Sequence, residues 1–185
     1  SRLSRGLGDV YKRQTLKEAK GMFAFALWDK KEKSLILCRD RMGEKPLYYG
    51  LQNNVFMFAS ELKSLKAHPQ FDKTLDKNAL SKYFTYGYIP APMSIYENIY
   101  KLPPGHFLKI NYDILKNDKS YKFKPIKYWS YATQFNERKN FNLNISENEA
   151  LDQFDDLLTN AVKEQMISDV PLGAFLSGGI DSSLV

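Results

Sequence analysis

Leu172-Gly-Ala-Phe-Leu-Ser-Gly-Gly-Ile-Asp-Ser-Ser183 decides how the later part of the chain folds. The apolar run Leu172–Leu176 reads as a short buried strand, and Ser177–Ser183 as a glycine-rich turn leading into a helix. Strand, glycine-rich turn and helix together present backbone N–H groups to a phosphate. Gly178 and Gly179 permit close backbone approach and unusual φ. Ser177, Ser182 and Ser183 can donate hydroxyl hydrogen bonds to phosphate oxygens. Asp181 is out of place beside a phosphate unless a cation stands between them, which argues for Mg2+ held by carboxylate and phosphates together. The loop lacks the Gly-Lys-Ser/Thr of a Walker A motif and the Gly-x-Gly-x-x-Gly of a dinucleotide turn. An ordinary glycine- and serine-rich turn is the alternative; the full seven-residue run directly after an apolar strand favours the phosphate loop.

Toward the N-terminus, a helix start precedes this strand. Ser146 stands where a cap would, with Glu149 three residues on, as in a capping box. Leu151, Phe154, Leu158, Ala161, Val162 and Gln165 recur at spacings of three and four, which predicts an amphipathic helix of about five turns. It should end near Ser168–Asp169, because Pro171 disfavours helix at Val170. The polar stretch Asn136–Asn144, without periodicity, marks a linker.

The first half reads as antiparallel and β-rich. Met22–Trp28 is continuously apolar, as for a strand buried on both faces. A polar turn at Asp29–Lys33 and the run Ser34–Cys38 complete a hairpin. Pro46–Gly50, a turn at Gln52–Asn54 and Val55–Ala59 repeat the device. Two helical stretches come next, near Ser60–Lys66 and over Asp76–Tyr86, the second with Leu80, Tyr83 and Phe84 on one face. Ile89–Pro92 is a proline-stiffened loop, and a turn at Leu102–Gly105 precedes a strand over His106–Tyr112.

Composition bounds the function. In 185 residues, 43% are hydrophobic and 14% aromatic, enough for a real core. No apolar run approaches a membrane span, and no signal-peptide pattern opens the chain. One cysteine, Cys38, and two distant histidines, His68 and His106, give neither a disulfide framework nor zinc-ligand spacing. The net charge of +6 would suggest nucleic acid, but half of it falls in residues 1–14 and the remaining lysines are interspersed with acids. The expectation is a cytoplasmic protein with no nucleic-acid and no membrane partner.

Residues 1–14 show no apolar periodicity and no continuity with the strand pattern that begins at Gly21. Within them, Asp9-Val-Tyr-Lys-Arg-Gln14 resembles one frame of a transposon-based sequencing adaptor. The segment is set aside as adaptor-derived, with a disordered native tail as the alternative. Ser182–Val185 reads as the first turn of a helix that is cut off, so the chain is expected to be a fragment.

The run Ser177–Ser183 resembles the pyrophosphate loop of ATP pyrophosphatases, and Ser168-Asp-Val-Pro-Leu-Gly-Ala-Phe-Leu-Ser-Gly-Gly-Ile-Asp-Ser-Ser183 is closer to asparagine synthetases than to GMP, NAD or argininosuccinate synthetases. Independently, Gly21-Met-Phe-Ala-Phe-Ala-Leu-Trp-Asp29, Arg39-Asp-Arg-Met-Gly-Glu-Lys-Pro-Leu-Tyr-Tyr-Gly50, Ala59–Leu65, Tyr100–Gly105 and Tyr128-Trp129 resemble the later part of a class II glutamine amidotransferase domain. The resemblance covers about residues 16–185, and the order of the halves is that of glutamine-hydrolysing asparagine synthetase. It implies an α+β chain. Residues 15–135 would be a partial, antiparallel amidotransferase domain and 136–146 a linker. Residues 147–185 would be the first helix, strand and phosphate loop of an α/β parallel-sheet synthetase domain.

For the parent enzyme the resemblance implies glutamine hydrolysis, internal passage of ammonia, and activation of aspartate by ATP and Mg2+ as an acyl-adenylate that ammonia converts to asparagine. ATP would be bound through Leu176 (by its backbone), Ser177, Gly178, Gly179, Asp181, Ser182 and Ser183, with Asp181 toward Mg2+. ATP, aspartate and glutamine are the implied small-molecule partners, and a homodimer is left open. The family's glutaminase nucleophile, an N-terminal cysteine, and its Asn-Gly-Glu and Gly-Ser-Asp runs are not in the sequence, so the fragment is expected to be inactive. Cys38 is assigned to structure. Arg39, Asp40, Gly43 and Lys45 are assigned to a hairpin turn at Gly43 with ion pairs near a domain interface, over a role in substrate or ammonia transfer. Tyr48-Tyr49 and Tyr128-Trp129 are assigned to packing. Rival readings are a β-lactam-forming or other related amide ligase, and a non-catalytic broken-gene product.

Overall fold

The computed structural model describes residues 15–16, 18–117, 121–139 and 144–184. The segment 1–14, residues 140–143 of the expected linker, and Val185 lie outside them. The chain divides into two compact units, residues 1–134 and 135–185.

The first unit is built on two antiparallel sheets. The four-stranded sheet runs in the order β1 (Ala24–Asp29), β2 (Ser34–Arg39), β6 (His106–Asn111), β7 (Ile126–Lys127). The three-stranded sheet runs β4 (Val55–Ala59), β3 (Tyr48–Gln52), β5 (Ile99–Lys101). Both local hairpins form. Asn53 and Asn54 turn β3 into β4 with φ of 49° and 65°, the left-handed pair that matches strand twist and that asparagine tolerates.

Period-two alternation sorts the strands' side chains into separate cores. Leu37, Leu108 and Ile110 of one sheet meet Tyr49 of the other, with Leu47 and Leu102, in a cluster between the sheets. Ile36, Cys38 and Phe107 point the opposite way, against Leu16. Beyond the second sheet, Met57 and Ile99 pack on Leu65 of α1 (Leu62–Lys66) and on Phe71. Each fully buried aliphatic side chain contributes about 1.5–3 kcal/mol by leaving water.

The doubly buried strand is therefore β2, not β1. β2 has partners on both edges and a core on both faces. β1 pairs only with β2 among the described residues, and its Trp28 is 48% exposed. The connection at Gly43 is also not a hairpin, because β2 and β3 lie in different sheets and the segment between them crosses from one to the other.

In α2 (Lys77–Tyr86), Asp76 caps by accepting from the Asn78 and Ala79 amides, and Gly87 closes the helix in the left-handed region. The buried residue is Ala79; Tyr83 and Phe84, expected to share one face with Leu80, are exposed at 49% and 78%. A short α3 (Tyr112–Asn117) comes after β6, and α4 (Tyr131–Arg138) takes in Asn136–Arg138 of the expected linker.

The second unit contains α5 (Glu147–Gln165) and α6 (Ile180–Leu184). The capping box forms: the Glu149 amide donates to Ser146 Oγ, and the Glu149 carboxylate takes the Ser146 amide at 2.8 Å. The helix ends at Gln165, short of Ser168: the Met166 amide bonds the Lys163 carbonyl, and beyond it Ser168 Oγ bonds both the amide and the carbonyl of Val170 in a local turn. Residues 171–177 form no strand. A strand needs a ladder partner, and none is present for Leu172–Leu176 among the described residues; Phe175 is fully exposed. Among the described residues no helix is long and apolar enough to cross a membrane.

Candidate functional site

The glycine-rich loop lies in the second unit. Gly178 has φ of 76° and open space where a side chain would begin, so a bulky group can approach its backbone. The Ser177 and Ser182 hydroxyls are 2.9 Å apart. Ser182 Oγ donates to the Gly179 carbonyl at 3.1 Å and Ser183 Oγ to the same carbonyl at 2.8 Å. The Ser183 amide also points there, at 3.1 Å. The Gly179 carbonyl thus gathers three donors, and Ser177, Ser182 and Ser183 lie together through internal hydroxyl bonds. Binding an anion here would exchange internal hydroxyl bonds for bonds to the anion's oxygens. Leu176 is 72% exposed, and Asp181 sits exposed in the first turn of α6. No group of three potential metal-ligating residues forms among the described residues, so Asp181 offers one carboxylate. That suits Mg2+ only as part of a shell completed by phosphate oxygens and water.

The second candidate group lies in the first unit, where β2 ends. Arg39 Nε donates to the Lys45 carbonyl at 2.8 Å, Nη1 to Leu102 at 2.8 Å and Nη2 to Gly43 at 2.5 Å. The expected ion pairs are replaced at Arg39 by this three-carbonyl fork, which the planar guanidinium fits and burial favours, since each carbonyl otherwise needs a donor. Burial pulls the Arg39 pKa down. Asp40 is 1% exposed. Its carboxylate accepts the Glu44 and Lys45 amides at 2.9 Å and the Phe23 amide at 3.3 Å. Both charged side chains are thereby committed to backbone, which makes them determinants of loop shape. Gly43 has φ of 72° and lies against the Arg39 guanidinium.

Cys38 is completely buried, and burial pushes its thiol up to about 12. A thiolate is the nucleophilic form, so Cys38 is inert at neutral pH. The Tyr128 hydroxyl donates to the Arg39 carbonyl at 2.8 Å, and Tyr49 is 2% exposed in the core between the sheets. Sequence reasoning passed over Gln52, whose buried amide takes the Asp72 amide and donates to the Asp72 and Glu97 carbonyls. A glutamine beside an asparagine turn reads simply as loop.

Residues 8–122 match the glutamine amidotransferase domain family, and residues 153–185 match the asparagine synthase family. The first match takes in residues 8–14, part of the segment set aside. The chain is 42% identical over 176 residues to "Putative asparagine synthetase (glutamine-hydrolyzing) 2" of Methanocaldococcus jannaschii, covering 92% of this chain and 31% of that protein. It is 35% identical over 173 residues to asparagine synthetase (glutamine-hydrolyzing) 3 of Bacillus subtilis, covering 89% and 25%. It is 32% identical over 166 residues to Amidase chry2 of Gibberella zeae, covering 90% and 23%. The chain spans less than a third of the length of these relatives.

Proposed function

Because the chain belongs to the glutamine amidotransferase domain family, we propose that it carries the later part of the glutaminase domain and the opening of the synthetase domain of a glutamine-dependent asparagine synthetase. The observation that carries this reading is the order of two family matches along one chain, amidotransferase at 8–122 and asparagine synthase at 153–185. In the whole enzyme, ammonia released from glutamine would be transferred to aspartate activated by ATP.

The loop's donor set supports the second half. Three serine hydroxyls lie within seven residues, beside a glycine whose backbone is open to approach. Ser177, Gly178, Gly179, Ser182 and Ser183 would hold phosphate oxygens, Leu176 would contact the nucleotide by its backbone, and Asp181 would meet Mg2+. Bound Mg2+ would supply positive charge against the leaving pyrophosphate. The residues' own part is to orient the phosphates and donate hydrogen bonds where negative charge grows. For the glutaminase half, buried Cys38 cannot act as nucleophile, so the 185-residue chain alone would not hydrolyse glutamine.

The test is made in the full-length enzyme, by measuring asparagine formation and glutamine hydrolysis side by side. Asp181→Asn is expected to lower synthesis about 100-fold and to leave hydrolysis intact. Equal loss of both would remove the assigned role. Wild-type enzyme that forms no asparagine from aspartate would remove the substrate reading. The likeness to Amidase chry2 favours one second reading, a related amide-processing enzyme with another acceptor. Nucleotide turnover that ignores aspartate but responds to another carboxylic acid would select it.

A further inference from the structure

A cavity of about 650 Å3 opens in the first unit between β3, β5 and the segment 121–125, and neither the glutaminase nor the nucleotide reading uses it. Its size is that of a small-molecule site. Strand register makes its inner wall: Tyr49 of β3 pairs directly with Tyr100 of β5, and their rings lie 5.9 Å apart. Phe123 meets Tyr49 edge-on at 5.3 Å, and Tyr121 meets Phe123 at 5.4 Å. Three phenols and a phenyl ring from distant parts of the chain thus converge.

The polar groups give the site a sign. Among the described residues the lining includes Lys122, His106 and Asn98 and no carboxylate. His106 Nδ1 lies 2.7 Å from the Pro104 carbonyl, which can only accept, so Nδ1 carries the proton and Nε2 is left for other partners. Tyr49 is 2% exposed, and among the described residues nothing hydrogen-bonds its hydroxyl. That hydroxyl is not among the buried polar atoms left without a partner, so it stands open to solvent on the cavity wall, where it can donate to a ligand. Burial, with Tyr100 beside it, pushes the Tyr49 phenol up to about 12, which keeps it protonated and a donor. Aromatic faces attract cations too, but among the described residues the lining offers a lysine, Lys122, and no carboxylate to hold a cation's charge.

We propose that this cavity binds a planar aromatic carboxylate, its ring against Tyr100 and Phe123 and its charge toward Lys122. The full chain is titrated with 1-naphthoate and with the neutral naphthalene-1-carboxamide, binding being followed by calorimetry and by the tyrosine ring signals in NMR. Saturable binding of naphthoate is expected, with the carboxamide weaker by about two- to fivefold, the range of an exposed charge pair. Lys122→Gln, an exposed site that leaves the fold untouched, should weaken naphthoate by that factor and abolish the discrimination. Tyr100→Ala should weaken both probes about two- to tenfold. No saturable binding at millimolar concentration, equal affinity for the two probes, or an unchanged affinity in Lys122→Gln would each overturn the proposal.

Discussion

Arg39 Nη1 donates to the Leu102 carbonyl across 2.8 Å and 63 residues of chain. Arg39 closes β2 in the four-stranded sheet, and Leu102 comes directly after β5 in the three-stranded one. The bond therefore ties the two sheets at one corner of their shared core, where Leu102 is itself fully buried. The other two guanidinium bonds hold the crossing segment at Gly43 and Lys45.

Arg39→Lys keeps the charge and loses the fork. One ammonium cannot reach three carbonyls fixed by separate segments. With charge-assisted bonds to carbonyls contributing about 1.5–3 kcal/mol each when buried, and Arg39 only half-buried, the expected loss is about 2–3 kcal/mol in urea unfolding of the full chain. A loss below about 0.5 kcal/mol, the level of an ordinary surface change, would mean that the fork is not holding the corner.

Gly105 is knitted into the same corner. Its amide donates to the Asp40 carbonyl at 2.8 Å, and its carbonyl takes the Tyr128 amide at 2.9 Å. Its φ is 66°, and a methyl group would stand 2.4 Å from the Trp129 carbonyl oxygen. Gly105→Ala therefore combines left-handed strain with a clash against backbone, for an expected destabilisation of about 2–3 kcal/mol. Near-wild-type stability by thermal melting would contradict this packing.

Cys38 gives a chemical readout of the core. Fully buried, with its thiol pushed up to about 12, it should not react with Ellman's reagent at pH 8 in the native chain and should react at once in 6 M guanidinium. Rapid labelling of native protein would place Cys38 outside the cluster formed with Ile36, Phe107 and Leu16.

What the sequence disclosed was local. The Ser146–Glu149 capping box and the Asn53–Asn54 turn join residues one to three apart, so residue type alone reveals them. The central strand was not legible, because β2 gains its second partner from β6, about seventy residues away, and β1 is equally apolar. Leu172–Leu176 carries the composition of a strand, but composition does not supply a ladder. The serines of the glycine-rich loop could be named from their types, whereas the convergence of Ser182 and Ser183 on the Gly179 carbonyl could not. The same holds for Arg39, whose acceptors are carbonyls that every residue possesses. The Tyr49–Tyr100 wall exists only once β3 and β5 are in register.

Glu149 makes the start of α5 depend on pH. Its carboxylate accepts the Ser146 amide and the Ser146 hydroxyl, both at 2.8 Å, and these bonds lower its pKa in the folded chain. A group depressed on folding stabilises the helix start above its unfolded pKa and loses that contribution as pH falls through the folded value. The Ser146 and Glu149 amide signals should therefore shift toward unstructured positions on acidification through and below the usual glutamate range. Glu149→Gln retains a capping box, since glutamine can also accept from the cap residue's amide, but cannot titrate. The variant should keep the helix start at neutral pH and flatten its pH dependence. An unchanged acid transition in the variant would assign the effect to another carboxylate, with Glu147 in the same first turn the foremost.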